Sequence, residues 1–503
     1  MEGPFTILDC YTDEPAGLGV PPYLGTYPRY IAGFLENTDK NSHEARSGSQ
    51  VSYLTIDDLR FAYRYGSIQR QPKPSQKTDI FTYNLTSNAQ KVKEILESTK
   101  TLIVILGVHV PGKYLSAVPG TFHEIIPMLK LLRCKKILTG PAVFGSQLFG
   151  GKASEQFDRS VFDSIDPALY SFPYEKLTDH AVRGASLIKQ IPGIRMMEIE
   201  TGKGCDIGRC SFCTEPLKNN VAFRKKEDIL REMQALYAEG SRYFRLGKQT
   251  CFYTFPEAVE LLKGIREQMP GIKVLHIDNV NPVKVLIDNK KNNDAISKAI
   301  VTYCTSGNIA AFGVESFDIE VVRKNTLNCL PTVAYEAARI INAYGAGRGE
   351  DGLPKFLPGI NIIFGLRNET KRTNEENMKW LHKIYDDGLL IRRINIRQVA
   401  LFEGTSLFQD GRDRFLKKNK RYYWKWRNDI RQHIDLPMLK RVVPEGTVFK
   451  GCYSEIYDGN TTFCRQFGTY PLIVGVKGRL PLKQFFDLRI TAHMLRSVTG
   501  VVV

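Results

Sequence analysis

Over roughly the first four hundred positions, apolar runs of strand length alternate with segments whose apolar residues recur at helical spacing. In the N-terminal third the strand-like runs are residues 5–11, 51–55, 101–106 and 136–139. Helical stretches start near Arg29 and Ile56 and cover 88–98 and 124–132. Such alternation predicts an open parallel sheet flanked by helices, an α/β fold whose ligands bind beyond the carboxyl ends of the strands. The pattern restarts at residue 194. Apolar runs at 194–200, 243–246, 273–277, 309–314, 359–365 and 394–401, in βα alternation, predict a partial (β/α)6 barrel. Its first helix is expected from Lys226, where Glu227 and Asp228 suit the positive end of the helix dipole, to Gly240, which stops it. Beyond 408 a basic, aromatic helix over 412–431 precedes short strands at 446–449, 452–456, 461–463 and 471–476, with Asp458-Gly459 as a turn. Three domains are expected, at 1–185, 186–408 and 409–503, the last a small α+β, β-rich unit.

A chain of 503 residues is too long for one ordinary core. Its longest apolar run, 101–108, falls far short of a membrane span, and its start lacks the basic residues and apolar core of a signal peptide. Ten cysteines, three of them clustered, fit a reducing compartment better than a disulfide framework, so a cytoplasmic protein is expected. The formal net charge of +17 suits nucleic acid, an acidic partner or a large anionic cofactor. Some of the excess is local. Between Arg412 and Arg431, nine Lys or Arg face Asp413 and Asp429, interleaved with Tyr422, Tyr423, Trp424 and Trp426. Aromatics among cations can stack bases, and the same density suits an amphipathic helix docked on protein. Both readings stay open.

The motif that carries chemistry is Cys205-Asp-Ile-Gly-Arg-Cys210-Ser-Phe-Cys213, on a loop after the strand at 194–200. Thiolates this close can converge on one metal centre. An iron–sulfur cube is normally held by four thiolates. A site with three offers one iron to another ligand, as reductive cleavage of S-adenosylmethionine requires. Zinc would want a fourth Cys or His within a short span, and no His lies between His180 and His276. A disulfide would leave an odd thiol over. Zinc and structural thiols are the alternatives. In the N-terminal third the strands run out into Gly17-Leu-Gly-Val-Pro-Pro22, Gly107-Val-His-Val-Pro-Gly-Lys-Tyr114, Gly140-Pro-Ala-Val-Phe-Gly145 and Phe149-Gly-Gly151. Small residues there let backbone approach a flat, bulky ligand, and no G-x-G-x-x-G follows the first strand to mark a dinucleotide.

The cysteine motif resembles that of the radical S-adenosylmethionine superfamily, C-x3-C-x2-C with an aromatic before the last Cys, here Phe212. The departure is one extra residue between Cys205 and Cys210, which Gly208 can absorb as a bulge. With the glycine loops, most of the chain resembles the cobalamin-dependent methyltransferases of that superfamily: a Rossmann-like cobalamin-binding domain, a radical barrel and a C-terminal substrate-binding or capping domain. The resemblance implies a [4Fe-4S] cluster on Cys205, Cys210 and Cys213 with Phe212 beside it. It implies S-adenosylmethionine contacts from Gly247, Lys248 and Gln249, which stand where the family often has Gly-Gly-Glu. Glu315 and Ser316 would lie at the ribose and Gly365 near the adenine; Arg397 or Gln398, polar breaks in the apolar run of the sixth strand, would point inward toward cofactor or substrate. For cobalamin it implies Leu18, Gly107, Val108, His109, Val110, Pro111, Gly112, Tyr114, Gly140, Pro141 and Ala142, without the D-x-H-x-x-G histidine. His109 reads also as a histidine hydrogen-bonded in a turn, His276 as a satisfied core residue, Glu369 as a cap of the helix that follows it, and Cys452 and Cys464 as buried small residues.

The implied activity is transfer of a methyl group from methylcobalamin to an unactivated sp3 carbon of a protein residue, with no general base required. The loop sequences Asp13-Glu-Pro-Ala-Gly-Leu-Gly-Val-Pro-Pro22 and Arg465-Gln-Phe-Gly-Thr-Tyr-Pro471 are most similar to the glutamine C-methyltransferases of methanogens that act on methyl-coenzyme M reductase. That likeness implies the alpha subunit of the reductase as partner, an external electron donor, and no membrane. An RNA-modifying radical enzyme is the alternative within the class. A methylthiotransferase would carry a second three-cysteine cluster upstream, where only Cys10 and Cys134 stand, so nucleic acid is the weaker expectation. A cobalamin or iron–sulfur sensor without turnover is the alternative from another class.

Overall fold

Strands buried at every position organise the N-terminal region. In this computed structural model, which describes residues 2–10, 23–39, 51–65, 84–107, 120–144, 147–148, 153–154, 158–411 and 413–503, two compact units are present. They are Met1–Ile199 with Lys225–Tyr243, and Glu200–Arg224 with Phe244–Val503. In the first, β1 (Phe5–Asp9), β2 (Ser52–Thr55), β3 (Thr101–Ile105), β4 (Lys135–Thr139) and β5 (Ser164–Ile165) pair in the order β2-β1-β3-β4-β5, all parallel. β1 and β3 are covered on both faces, which is why they read as unbroken apolar runs. The order switches direction between β1 and β3, the place where open α/β sheets bind ligands. The loops leaving those two strands, with Leu18, Val108, His109, Val110, Pro111, Gly112 and Tyr114, lie outside the described residues.

Helix α1 (Thr26–Asp39) starts three residues earlier than the sequence pattern indicated. Its Arg29 is fully buried and paired with Glu232 of α2 (Lys226–Ala238) at 2.5 Å, and it also donates to the Glu198 carbonyl. Removing one partner would strand a buried charge, which costs about 3–5 kcal/mol.

All six strands expected after residue 194 are present: β6 (Met196–Glu200), β7 (Tyr243–Gly247), β8 (Val274–Ile277) with β9 (Asn279–Val280), β10 (Asn308–Glu315), β11 (Phe356–Phe364) and β12 (Arg393–Gln398). In the second unit β9 to β12 form a parallel sheet in sequence order. The expected third strand, 273–277, is β8; after Asp278 the chain adds the short β9, which belongs to a different sheet. Along β11 and β12 the side chains alternate. Ile360, Ile362, Ile394 and Ile396 are buried, while Asn361, Arg393, Asn395 and Arg397 occupy the more open face.

The basic segment forms α3 (Arg414–Lys418) and α4 (Lys420–Ile430). Tyr423 and Trp426 are buried against Phe364 of β11, with ring centroids 5.9 and 5.3 Å away. The helix is thus docked on its own sheet, and Trp424, 67% exposed, is the aromatic left facing outward.

The terminal segment is a closed barrel of β13 (Val448–Asp458), β14 (Thr461–Gln466), β15 (Ile473–Lys477), β16 (Phe485–His493) and β17 (Val498–Val502), in the order β13-β14-β15-β17-β16. Cys452 and Cys464 are fully buried in it and unpaired. The Lys450 N–H and the Gln466 amide both donate to the Asp351 carbonyl, at 3.2 and 2.6 Å, and Arg392 donates to the Tyr470 carbonyl at 3.2 Å. Asp351 and Arg392 precede β11 and β12, so the barrel sits at the amino-terminal end of those strands.

His276 is the satisfied core histidine expected. Its Nδ1 accepts from the Thr469 N–H at 3.1 Å and its Nε2 contacts the Ser306 carbonyl at 2.9 Å. Burial holds its pKa down to about 4. The folded state therefore binds fewer protons than the unfolded one between that value and the ordinary 6.5, and stability falls as pH drops through this window. The loss is about 3 kcal/mol at the acid end. Urea unfolding of wild type and His276→Asn at pH 7 and pH 5 should give a visibly smaller pH difference for the variant.

Candidate functional site

The cysteine loop lies in the second unit and is tied down along its length. At its start Thr201 donates both N–H and hydroxyl to the Gly247 carbonyl at 3.2 Å, and Arg224 donates to the Glu200 carbonyl at 3.1 Å. Gly202–Lys203 pairs with Ala222–Phe223 to close the loop as a hairpin. The Gly204 N–H reaches Glu215 at 3.0 Å, and Thr250 donates to the Gly204 carbonyl at 3.0 Å. Asp206 pairs with Lys284. The firmest anchor is Asn325, fully buried after the helix Ile319–Lys324. Its carbonyl takes the Ser211 N–H at 2.9 Å, and its side-chain oxygen takes the Ser211 hydroxyl at 2.8 Å and the Arg367 N–H at 3.2 Å. Its amide donates to the Arg367 and Val321 carbonyls.

The extra residue between the first two cysteines is absorbed as expected. Gly208 has φ +56°, a conformation costly for any residue with a Cβ, and its N–H points at Cys205 Sγ at 3.4 Å. The Glu215 N–H points at Cys213 Sγ at 3.4 Å. Burial, then the neighbouring Cys213, pushes the Cys210 thiol up to about 12, while burial also raises Cys213, with Cys205 adding to it. Three thiols that feel one another, with amides aimed at two of them, suit a group that takes up anionic sulfur. Among the described residues no three His, Cys, Asp or Glu side chains converge as a single metal ion would need. A cube distributes its thiolates over separate irons and does not require that. Phe212 and Cys210 pack on an apolar cluster that includes Leu366, Val399, Leu401, Leu407 and Leu416.

The residues expected at S-adenosylmethionine divide into two groups. Gln249 is 3% exposed, and neither atom of its amide has a partner among the described residues. Glu315 ends β10 with φ +63°, and its Oε2 is buried without a partner there. Burial drives that carboxyl up to about 8 against the pull of Arg397, and Glu315 in turn adds to the rise of the Cys210 and Cys213 thiols. Lys248 also has positive φ, +66°. Backbone strain at two strand ends around one loop is the kind that persists where surrounding structure holds it for function. These groups fit a polar ligand beside the thiols. The others have partners within the chain. Gly247 gives its carbonyl to Thr201, and Ser316 accepts the Asp318 N–H at 3.1 Å. A side chain at Gly365 would press on Leu416 and Val399 at 3.0 Å. Arg397 faces Asn395, whose amide, turned oxygen-inward, accepts from it at 2.9 and 3.0 Å.

The expected capping role of Glu369 is corrected. The next helix starts at Thr370, which bonds to Thr373, whereas Glu369 turns back to take the Gly365 N–H at 2.6 Å and the Asn419 amide at 3.1 Å. Only 2% exposed, its carboxyl is pushed by burial up to about 7.

Of the residues expected at cobalamin, Gly107, Gly140, Pro141 and Ala142 are described. Gly140 (φ +98°) has no room for a Cβ, which would lie 2.5 Å from the Leu106 carbonyl, and Ala142 is packed into the apolar core. Both serve packing, and neither tests the expected cofactor.

Sequence reasoning missed Asn325, Asn361, Asn395 and Arg393. The strict polar–apolar alternation Arg393-Ile-Asn-Ile-Arg397 was a usable sign of an inward polar stripe. Asn325, at a helix end, carried none.

No family model matches the chain. It is 39% identical over 550 aligned positions to the uncharacterized protein MJ0274 of Methanocaldococcus jannaschii, covering 100% of this chain and 94% of that one. It is 37% identical over 521 positions to an uncharacterized protein of Archaeoglobus fulgidus, covering 98% and 89%. The chain belongs to this archaeal family. Among solved structures it is similar to the radical S-adenosylmethionine methyltransferase TsrM of Kitasatospora setae, with cobalamin and a [4Fe-4S] cluster bound. The TM-score is 0.48 and the identity 11%, over 80% of this chain and 73% of that one. It is also similar to the cobalamin-dependent radical enzyme OxsB, with TM-score 0.49 and 13% identity over 84% and 56%.

Two outcomes follow for this member of the archaeal family. Anaerobic reconstitution with iron and sulfide should load about four irons per chain, and Cys205→Ala, Cys210→Ala or Cys213→Ala should each abolish the brown chromophore. Loading of a single zinc would refute the cluster. Asn325→Ala should lower stability by about 1–3 kcal/mol, read as an earlier urea midpoint, and speed iron loss to a chelator.

Proposed function

We propose that the protein is a cobalamin-dependent radical S-adenosylmethionine methyltransferase that methylates an unactivated sp3 carbon of a protein residue. The observation that carries this reading is the anchored loop of Cys205, Cys210 and Cys213, with Cys210 and Cys213 in electrostatic reach of Glu315, whose buried Oε2 has no partner among the described residues. The cofactors, when bound, supply the radical and methyl-transfer chemistry, and the protein supplies position and exclusion of water. The three cysteines would hold three irons. Gln249 and Glu315 offer an amide and a carboxyl to the polar groups of the adenosyl ligand, and the apolar cluster behind Phe212 and Cys210 shields that side from water. Asn325 and Arg224 hold the loop in register.

Cobalamin would be held by the first unit, whose β2-β1-β3-β4-β5 order has its switch point between β1 and β3. Cys10 and Cys134 are core side chains with thiols raised by burial, which speaks against the second cluster of a methylthiotransferase. The glutamine of methyl-coenzyme M reductase alpha subunit, indicated by the loop sequences, is the first substrate to try, with an external electron donor.

The decisive experiment is mass spectrometry of S-adenosylmethionine products formed by the reconstituted, cobalamin-loaded protein under reduction. Both 5′-deoxyadenosine and S-adenosylhomocysteine should form, and both should vanish in Cys210→Ala. Deoxyadenosine alone, with no cobalamin retained, would rule out the methyltransferase reading and leave another radical reaction.

A further inference from the structure

The second unit gathers arginines where few acids meet them. Arg392 precedes β12 and Arg393 opens it, Arg427 lies on α4 with Arg431 just beyond it, and Arg496 stands in the turn between β16 and β17. Arg431, 3% exposed, donates to the Ile394 carbonyl at 2.7 Å. Arg392 donates to the Tyr470 carbonyl, and the Arg393 guanidinium lies over the Tyr470 ring, 4.5 Å from its centroid. The Nε atoms of Arg392, Arg393 and Arg431 are all buried without an acceptor among the described residues. Beside Arg393 a cavity opens, lined by Ala311, Gly359, Asn361, Asn395 and Tyr470.

The charges oppose one another. Burial first, then Arg496, Arg427 and Arg393, bring Arg431 down to about 8, with the Tyr423 phenol acting weakly the other way. Burial followed by the neighbouring Arg393 and Arg496 brings Arg392 down to about 10. Arg431 makes an ion pair with Asp435, one carboxylate set against several guanidinium groups. A buried guanidinium such as Arg431 that faces further arginines is expensive unless enough counter-charge joins it.

From this convergence the structure assigns a binding site for a small polyanion, an oxyanion carrying two or more negative charges, at the amino-terminal end of β11 and β12. Planar guanidinium forks meet phosphate or carboxylate oxygens two at a time, which matches this side-chain set better than a monovalent ion. The site lies at the amino-terminal end of β11 and β12, whereas the cysteine loop follows the carboxyl end of β6, and Asn395 in its lining reaches Arg397.

The test is thermal unfolding of the full-length chain at fixed ionic strength in pyrophosphate or citrate, with sodium chloride as reference. Pyrophosphate, citrate or both should raise Tm saturably, and the stronger of the two identifies phosphate or carboxylate as the source of the charge. Arg393→Gln and Arg496→Gln, the latter at an exposed position, should each weaken the apparent Kd about tenfold. Without anion these variants should melt no lower than wild type, because a repulsive charge has gone. A wild-type Tm no higher than in chloride would overturn the proposal. So would wild-type affinity in both variants, or variants that melt lower without anion while binding it undiminished.

Discussion

The candidate site depends on one buried amide. Asn325 holds the cysteine loop through both backbone and side chain of Ser211, and it holds the segment after β11 through both N–H and C=O of Arg367. A loop of three thiols has no intrinsic reason to keep one shape. It carries little apolar surface of its own, and its conformation includes a left-handed glycine that the unfolded chain visits freely. A side chain able to donate and accept at once, locked at a helix end and shut away from water, converts that loop into a fixed frame. Glu369 does the same for the neighbouring segment, binding Gly365 and Asn419 so that the end of β11 and the basic helix share an anchor.

The fold was largely legible because period and burial agree. β1 and β3 are covered on both faces and show as continuous apolar runs, and Lys226–Ala238 carries Glu227 and Asp228 in its first turn and stops before Gly240. Legibility failed where long-range partners decide. The short β9 after Asp278 leaves no local trace, and β16 was unseen because five of its nine residues are exposed and its apolar positions are sparse. The position of the terminal barrel was out of reach, since it turns on carbonyls such as those of Asp351 and Tyr470, which any residue possesses.

In the site, the cysteines and Gly208 were legible because spacing and φ are properties of the local chain. Glu315 was found through its neighbours in sequence, and its meaning changed with the structure: the unpartnered oxygen and the raised carboxyl come from burial, which no motif encodes. Glu369 was misjudged because a carboxylate before a helix has a ready local use, and here a more distant set of donors wins.

The pairing of Arg29 with Glu232 spans 203 positions. The helix that completes the N-terminal unit is therefore encoded after the cysteine loop, and a nascent chain cannot neutralise Arg29 until Glu232 has been made. Until then the unit lacks α2, and Arg29 lacks the carboxylate that meets it in the finished fold. A fragment cut before the cysteine loop would inherit that unfinished state permanently, so the two halves of this protein mature as one synthesis product and not as separable modules.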